Sequence, residues 1–519
     1  MTRNLFFYLY LCAFLGCISC SENLNDELVI NEKIQKEYAI SPNVSGMIRF
    51  SEILSKAVAG NFELRNFLKT EALKTMDNDY DIFYPYSKNE LVSEGKSFRD
   101  ILVEYAANEE ELTNIEELLP LLTIYVPELP SGFDAGTWDA KNEIPCVANP
   151  VIKNDSVNFY YDGEIVLSIK PNEIPGWPTL VVKNNERIRL KDKNAATTLL
   201  RSSSYDDAYE FIDEAFNGQQ STSLRAERGD DPYNTGSPIV ISPLLVGAYN
   251  EMGLASNYWQ RDNIYYGLTK QSGITGTGLL NTQYYEKIVS IIFNPSAYGR
   301  MADQAGDPTY SQIIDINGSI NTRNGSGFFW TEGNFEIVID ILINNLSGAG
   351  TNITKFFSVS PFELFNIRYD VSNITLFLGR IINVYTPTEI TAKAYNPNIN
   401  LVTWDLENNG SAWKFIISES DEQTTETYST TVTTEYATNF GLTFGGYQGK
   451  IGLNFGASAK RTQTNTYTIV TTKGSDNLGT VELFFYDPVL LDINARDVKT
   501  LYHISNPYVS LCVIPSPKF

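Results

Sequence analysis

A change of hydrophobic period at Leu121 constrains this chain more than any other feature of its sequence. Before that point apolar residues recur three and four apart. Met47, Phe50, Ile53/Leu54, Ala57/Val58, Leu64, Phe67/Leu68, Ala72 and Met76 form one such series, and residues 97–119, ended by Pro120, form another. That spacing puts apolar side chains on one face of a helix. After Leu121 the period becomes two, in TIYVPELP, VNFYYDGEIVLSI and WPTLVVKNNERIRL, with Asp162-Gly163 and Asn184-Asn185 as turns.

Residues 191–236 are polar and rich in Gly and Ser, with one acidic helix expected at 205–216, and read as a linker. Beyond 237 strands dominate. In FFWTEGNFEIVIDILI (328–343), Phe329, Phe335, Ile337, Ile339, Ile341 and Ile343 point one way, while Glu332, Glu336 and Asp340 point the other. The preceding Asn324-Gly325-Ser326-Gly327 and the Asn-Gly pairs at Asn317 and Asn409 supply turns for an antiparallel arrangement. The expected fold is α+β and multidomain. It comprises a signal segment at 1–20, a mainly helical domain at 21–120, a small β-rich domain at 121–190, the linker, and a large antiparallel, sandwich-like β domain at 237–519.

The N-terminus, MTRNLFFYLYLCAFLGCISC, has one basic residue, Arg3, ahead of an apolar run from Leu5 to Leu15. A bilayer span needs ~20 apolar residues, so this run has the layout of a cleaved export signal. Its end resembles a bacterial lipobox in either of two frames, Phe14-Leu15-Gly16-Cys17 or Cys17-Ile18-Ser19-Cys20, and Cys20 is the favoured acylation site. The acidic stretch SENLNDE that follows resembles the surface-export signal of Bacteroidota lipoproteins. The resemblance implies an outer-membrane protein anchored by lipid and facing outward. After cleavage Cys146 and Cys512 remain, either as a disulfide or as two buried thiols. The net charge of −23 excludes a phosphate-binding surface as the main business of the chain, so no nucleic-acid partner is expected.

Motifs for catalysis are missing: no GxGxxG, P-loop, HExxH, CxxC or GxSxG occurs in a usable setting. His503 is the only histidine and reads as a half-buried strand residue. Asp77, Asp79 and Asp81 match the first three ligand positions of an EF-hand loop. Ile82 stands where its glycine belongs and Lys88 where its closing glutamate belongs, so no calcium site is expected. Glu332, Glu336 and Asp340 read as the solvated face of a strand. A glycan-active enzyme built on carboxylates from distant segments ranks third among the functions considered. The first is a non-catalytic surface module that binds a glycan, a polymer or a protein partner through exposed aromatics, with Trp259, Tyr265, Tyr266 and Trp330 as candidates. No cofactor is expected.

The second function comes from residues 424–472. Ser/Thr-rich arms flank the turn Gly445–Lys450, with Phe440, Leu442, Phe444, Ile451, Leu453 and Phe455 on one face and Gly441, Thr443, Gly452 and Asn454 on the other. Lipid outside and water inside a β-barrel wall would suit that alternation. Each arm has about 20 residues, more than the ~9–11 that a spanning strand needs, and the excess suits an aqueous stem. The stretch resembles the hairpin of aerolysin-type β-pore-forming proteins. That resemblance implies release of the hairpin on homo-oligomerisation, with those six apolar residues facing lipid.

Overall fold

The structure is a computed structural model that describes residues 42–93, 95–153, 156–191, 208–211, 216–218, 241–254, 259–270, 280–302, 330–344, 350–375, 381–420, 425–437, 460–472, 476–493 and 499–518. It is α+β, with mostly antiparallel sheets.

Among the described residues, four helices of eight or more residues precede Pro120: α1 (Pro42–Gly60), α2 (Phe62–Ala72), α3 (Phe98–Tyr105) and α4 (Glu109–Leu118). Each later start is written into the sequence. Asn61 accepts the Leu64 amide, Ser97 and Asp100 form a capping box, and Asn108 accepts the Glu111 amide. Three glutamates in the first turn of α4 complement its dipole. The expected helical stretch 97–119 is therefore two helices, because Asn108 offers a better start than a continuation.

The helices bury Phe50, Ile53, Leu54, Leu64, Leu68, Phe98 and Leu112 in one core with a six-stranded sheet. Its strands are β1 (Asp81–Phe83), β2 (Leu122–Tyr125), β3 (Cys146–Lys153), β4 (Ser156–Tyr161), β5 (Glu164–Ile169) and, after the short β6 (Ile174–Pro175), β7 (Thr179–Asn184). The spatial order is β1-β2-β7-β3-β4-β5, and only β3–β7 is parallel. Because β1 lies inside the helical segment and pairs with β2, the expected boundary at 120/121 does not separate two cores. Asp162 and Gly163, both at positive φ, make the expected turn between β4 and β5. Asn184-Asn185 does not make a hairpin: β7 pairs with β2 and β3, and Ile188–Leu190 pairs with Tyr209–Phe211. That pairing puts a strand where a helix at 205–216 was expected.

The C-terminal core is shared by two antiparallel sheets. One is built on β8 (Tyr284–Phe293). The other contains β9 (Phe335–Ile343) and β10 (Thr351–Val359). A hairpin of β11 (Phe365–Thr375) and β12 (Ile381–Ala392) follows, then β13 (Ala412–Glu419), the ribbon of β14 (Thr425–Ala437) and β15 (Lys460–Thr472), β16 (Asp476–Phe484) and β17 (Val509–Pro517). β17 pairs with β8, and the second sheet runs β10-β9-β13-β16. Phe335, Ile337, Ile339, Ile341 and Ile343 enter this core as the alternation expects, against Phe415, Ile417, Val481 and Leu483. β9 begins at Phe335 rather than at 328. The turn expected at 324–327 lies outside the described residues, and Asn409 ends a short helical turn before Gly410 at positive φ. Cys146 and Cys512 are free, buried in the first and second cores respectively, so the structure contains no bridge between them.

Candidate functional site

The two acidic features of the sequence meet. The loop 77–81, the end of β7 and the segment leading into β9 converge on two buried cations, Lys183 and Arg187. The Lys183 ammonium lies 2.8 Å from Glu186, 2.5 Å from Glu332 and 3.4 Å from Asp81. Arg187 contacts Asp79 at 2.8 Å and Glu336 at 3.4 Å, and donates to the backbone carbonyls of Asp77 (2.7 Å) and Asn334 (2.6 Å). Asn185 donates its side-chain amide to Asp77 at 2.8 Å.

Burial would lower the pKa of Lys183 and Arg187, but the facing carboxylates outweigh it and hold both well above their ordinary values. Burial pushes Asp79 up to about 6 and Asp81 well above the carboxylate range.

This overturns the solvated-face reading of the strand: Glu336 is 1% exposed and Asp340 6%. Asp340 instead accepts from the Thr354 hydroxyl at 2.6 Å. Sequence period reports which side of a strand a residue faces, not whether that side is covered.

At Gly333 the backbone passes so close to Asp79 that a Cβ would sit 2.1 Å from its carboxyl. The next amide, of Asn334, can therefore donate to both Asp79 oxygens, at 2.9 and 3.1 Å.

The same segment carries Trp330, whose indole N–H donates to the Glu173 carbonyl and whose ring stacks on Phe159 at 5.5 Å. Phe159 in turn meets Trp177 edge-on at 5.0 Å. Trp177 lines a groove of about 350 Å³. One wall is the loop 131–143. Thr137 closes it by donating its hydroxyl to the Gly132 carbonyl and its amide to Asp134, while Glu143 accepts the Asp139 amide. Lys69 on α2 fastens this loop through the Trp138 carbonyl at 2.6 Å.

The other wall is β12, which reaches across to pair with β6. Gly176 allows that approach, since its amide donates to the Asn383 carbonyl and a Cβ there would stand 2.5 Å from the same oxygen. Ser131, Thr137, Glu143 and Asn383 offer hydroxyl, carboxylate and amide groups, and among the described residues no Lys, Arg or His lines the groove. The Trp177 indole N–H is buried without an acceptor. Such a wall is fitted to a neutral polar ligand and poorly fitted to a phosphate.

The aromatics expected at the surface are in the cores. Trp259, Tyr265, Tyr266 and Trp330 are all buried, the first three around Phe485. His503 is half-buried, as expected, but lies between the short strands Lys499–Leu501 and Ile504–Ser505 rather than in one, and burial lowers its pKa. Of the 424–472 stretch, β14 and β15 pair as a two-stranded ribbon over 13 residues each, from Thr425↔Thr472 to Ala437↔Lys460. Tyr467 pins it to the outer side of the β9–β13 pair, buried against Leu342 and Ile416 and donating to Asn344 at 2.5 Å. Phe440, Leu442, Phe444, Ile451, Leu453 and Phe455 lie outside the described residues, as do Cys17 and Cys20. No described helix is long and apolar enough to cross a membrane.

Comparison with protein-family models, with curated proteins and with solved structures finds no match to this chain.

Proposed function

We propose that this chain is a surface-exposed, non-catalytic binding lipoprotein. It is anchored in the outer membrane through Cys20, and its glycan, polymer or protein ligand seats in the groove at Trp177. The observation that carries this reading is the groove itself. Two distant segments build it, and among the described residues its walls bear polar groups without Lys, Arg or His. The shared core of the two C-terminal sheets supports reading that region as a sandwich that positions the β11–β12 hairpin as one wall. The third-ranked reading, an enzyme built on carboxylates from distant segments, does not draw on Glu332 and Glu336, which are held by Lys183 and Arg187.

The test is a glycan-array and pull-down screen of the ectodomain, repeated with Asn383→Ala and Thr137→Val. Binding that both substitutions weaken supports the groove. Ligand capture that neither changes would place the site elsewhere, and hydrolysis in the same assay would revive the enzyme.

A second reading, a β-pore-forming protein acting as a homo-oligomer, is favoured by the ribbon of β14 and β15. It forms a sheet of its own, and its described contacts with the body include those of Tyr467 and Lys414.

A further inference from the structure

The seam between loop 77–81 and residues 330–336 holds more acid than base. Among the described residues, Asp77, Asp79, Asp81, Glu186, Glu332 and Glu336 gather around Lys183 and Arg187. Their environments differ in one respect. Asp79 receives the Asn334 amide on both oxygens and Arg187 besides, which suits an ionised carboxylate. Asp81, fully buried on β1, has no donor to its Oδ1. Its Oδ2 has only Lys183 at 3.4 Å and the Asn185 amide at 3.5 Å, because Lys183 sits closer to Glu186 and Glu332. The charged and titratable groups around Asp81 come from every neighbouring element: Asp77 and Asp79 from its own loop, Tyr125 from β2, Lys183 and Glu186 at the end of β7, and, across Lys183, Glu332 ahead of β9. Lys183 also lies 5.0 Å over the Tyr125 ring.

We propose that Asp81 is the proton-holding carboxyl of this seam, and that its ionisation in alkaline medium unlatches residues 330–336 from loop 77–81. A protonated Asp81 removes one charge from an over-acidic, desolvated site, and its ionisation restores that repulsion where Oδ1 has no donor and Oδ2 only long contacts to Lys183 and Asn185. The upward displacement of its pKa by burial agrees with this placement. Because Trp330 belongs to the latched segment and stacks on Phe159 beside Trp177, release would also loosen the floor of the groove.

The test is hydrogen exchange of the full mature chain from about pH 6 to about pH 9, corrected for intrinsic rates, with Asp81→Asn alongside. In the wild type, protection of the Asn334 amide should fall by up to about tenfold per pH unit as pH rises toward the pKa of latched Asp81, because opening releases its proton. Asp81→Asn should stay flat. Flat protection in the wild type, or a fall in the variant equal to that of the wild type, overturns the latch. Infrared spectroscopy locates the proton directly: a protonated-carboxyl C=O band should be present at neutral pH and reduced in Asp81→Asn. If the variant does not fold, the same band is read in Asp262→Asn, which removes the other donor-less buried carboxyl, and its absence there at neutral pH overturns the assignment.

Discussion

Arg261 and Glu286 form a bidentate pair, Nε–Oε1 2.9 Å and Nη2–Oε2 3.2 Å, with both side chains wholly removed from solvent. Arg261 also donates to the carbonyls of Asp487 and Val513, and the Tyr265 hydroxyl donates to Glu286 at 3.1 Å. The pair thus ties the helix Gln260–Tyr266 to strand β8, to β17 and to the loop after β16. Removing one charge leaves the other buried and uncompensated, at a cost of about 3–5 kcal/mol. Glu286→Gln should lower the unfolding free energy by about that amount in denaturant titration. A loss below about 1 kcal/mol would show that the site readily compensates.

Asp262, the next residue, shows the opposite arrangement. It is fully buried and neither carboxylate oxygen has a donor, so burial alone pushes its pKa well above the ordinary range. The native state therefore holds a proton that the unfolded chain releases near pH 4. Its contribution is fully present below that value and is lost as pH rises toward the folded pKa. Asp262→Asn should gain on the wild type by up to ~1.4 kcal/mol per pH unit across that window. Denaturation at about pH 5 and about pH 8 checks this, and a pH-independent difference would contradict it.

Gly333→Ala places a methyl group on the Asp79 carboxyl. Overpacking of this kind costs about 1–3 kcal/mol, with further loss if the Asn334 hydrogen bonds break. Gly247→Ala is the control. Its Cβ meets nothing within 4 Å on the helix Pro243–Met252, so a gain of about 0.5–1 kcal/mol is expected. Melting curves of the two variants should move in opposite directions.

If the ribbon enters membranes, charge on its lipid face costs about 2–4 kcal/mol at mid-bilayer. Leu442→Arg and Leu453→Arg should then abolish dye release from liposomes, while Thr443→Arg spares it and alters ion selectivity. Tyr467→Phe, which removes the hydrogen bond to Asn344, should hasten release. Absence of leakage from the wild type under every activating condition, proteolysis included, leaves the stretch as a surface hairpin.

The helices and the apolar side of β9 were legible because periodicity is a local property. Phe50 and Ile53, like Ile337 and Ile339, are buried as their spacing predicts. The seam was not legible. Arg187 reaches Asp79 and Glu336 across long stretches of sequence, and nothing near Asp77–Asp81 or Glu332–Asp340 announces the cations that cover them. Trp259 and Trp330 are core residues that the sequence does not mark as such, because composition alone does not separate a binding aromatic from a core one. Gly176-Trp177-Pro178 held the one local signal for the groove: a glycine and a proline around a tryptophan at a strand start, where backbones approach closely.

The hydrogen bond from the Asn334 amide to Asp79 spans 255 positions, and that span orders assembly in time. A chain emerging N-terminus first can pair β1 through β7 from residues 81–184 alone. Arg187 then lacks both Glu336 and the Asn334 carbonyl until the second half arrives. Bringing the two ends of such a long loop together is an entropic step that must precede any reward from the contact. The first half of the molecule therefore passes through a period as a sheet with an incomplete charged edge, and only the arrival of residues 330–336 gives Arg187 its last acceptors.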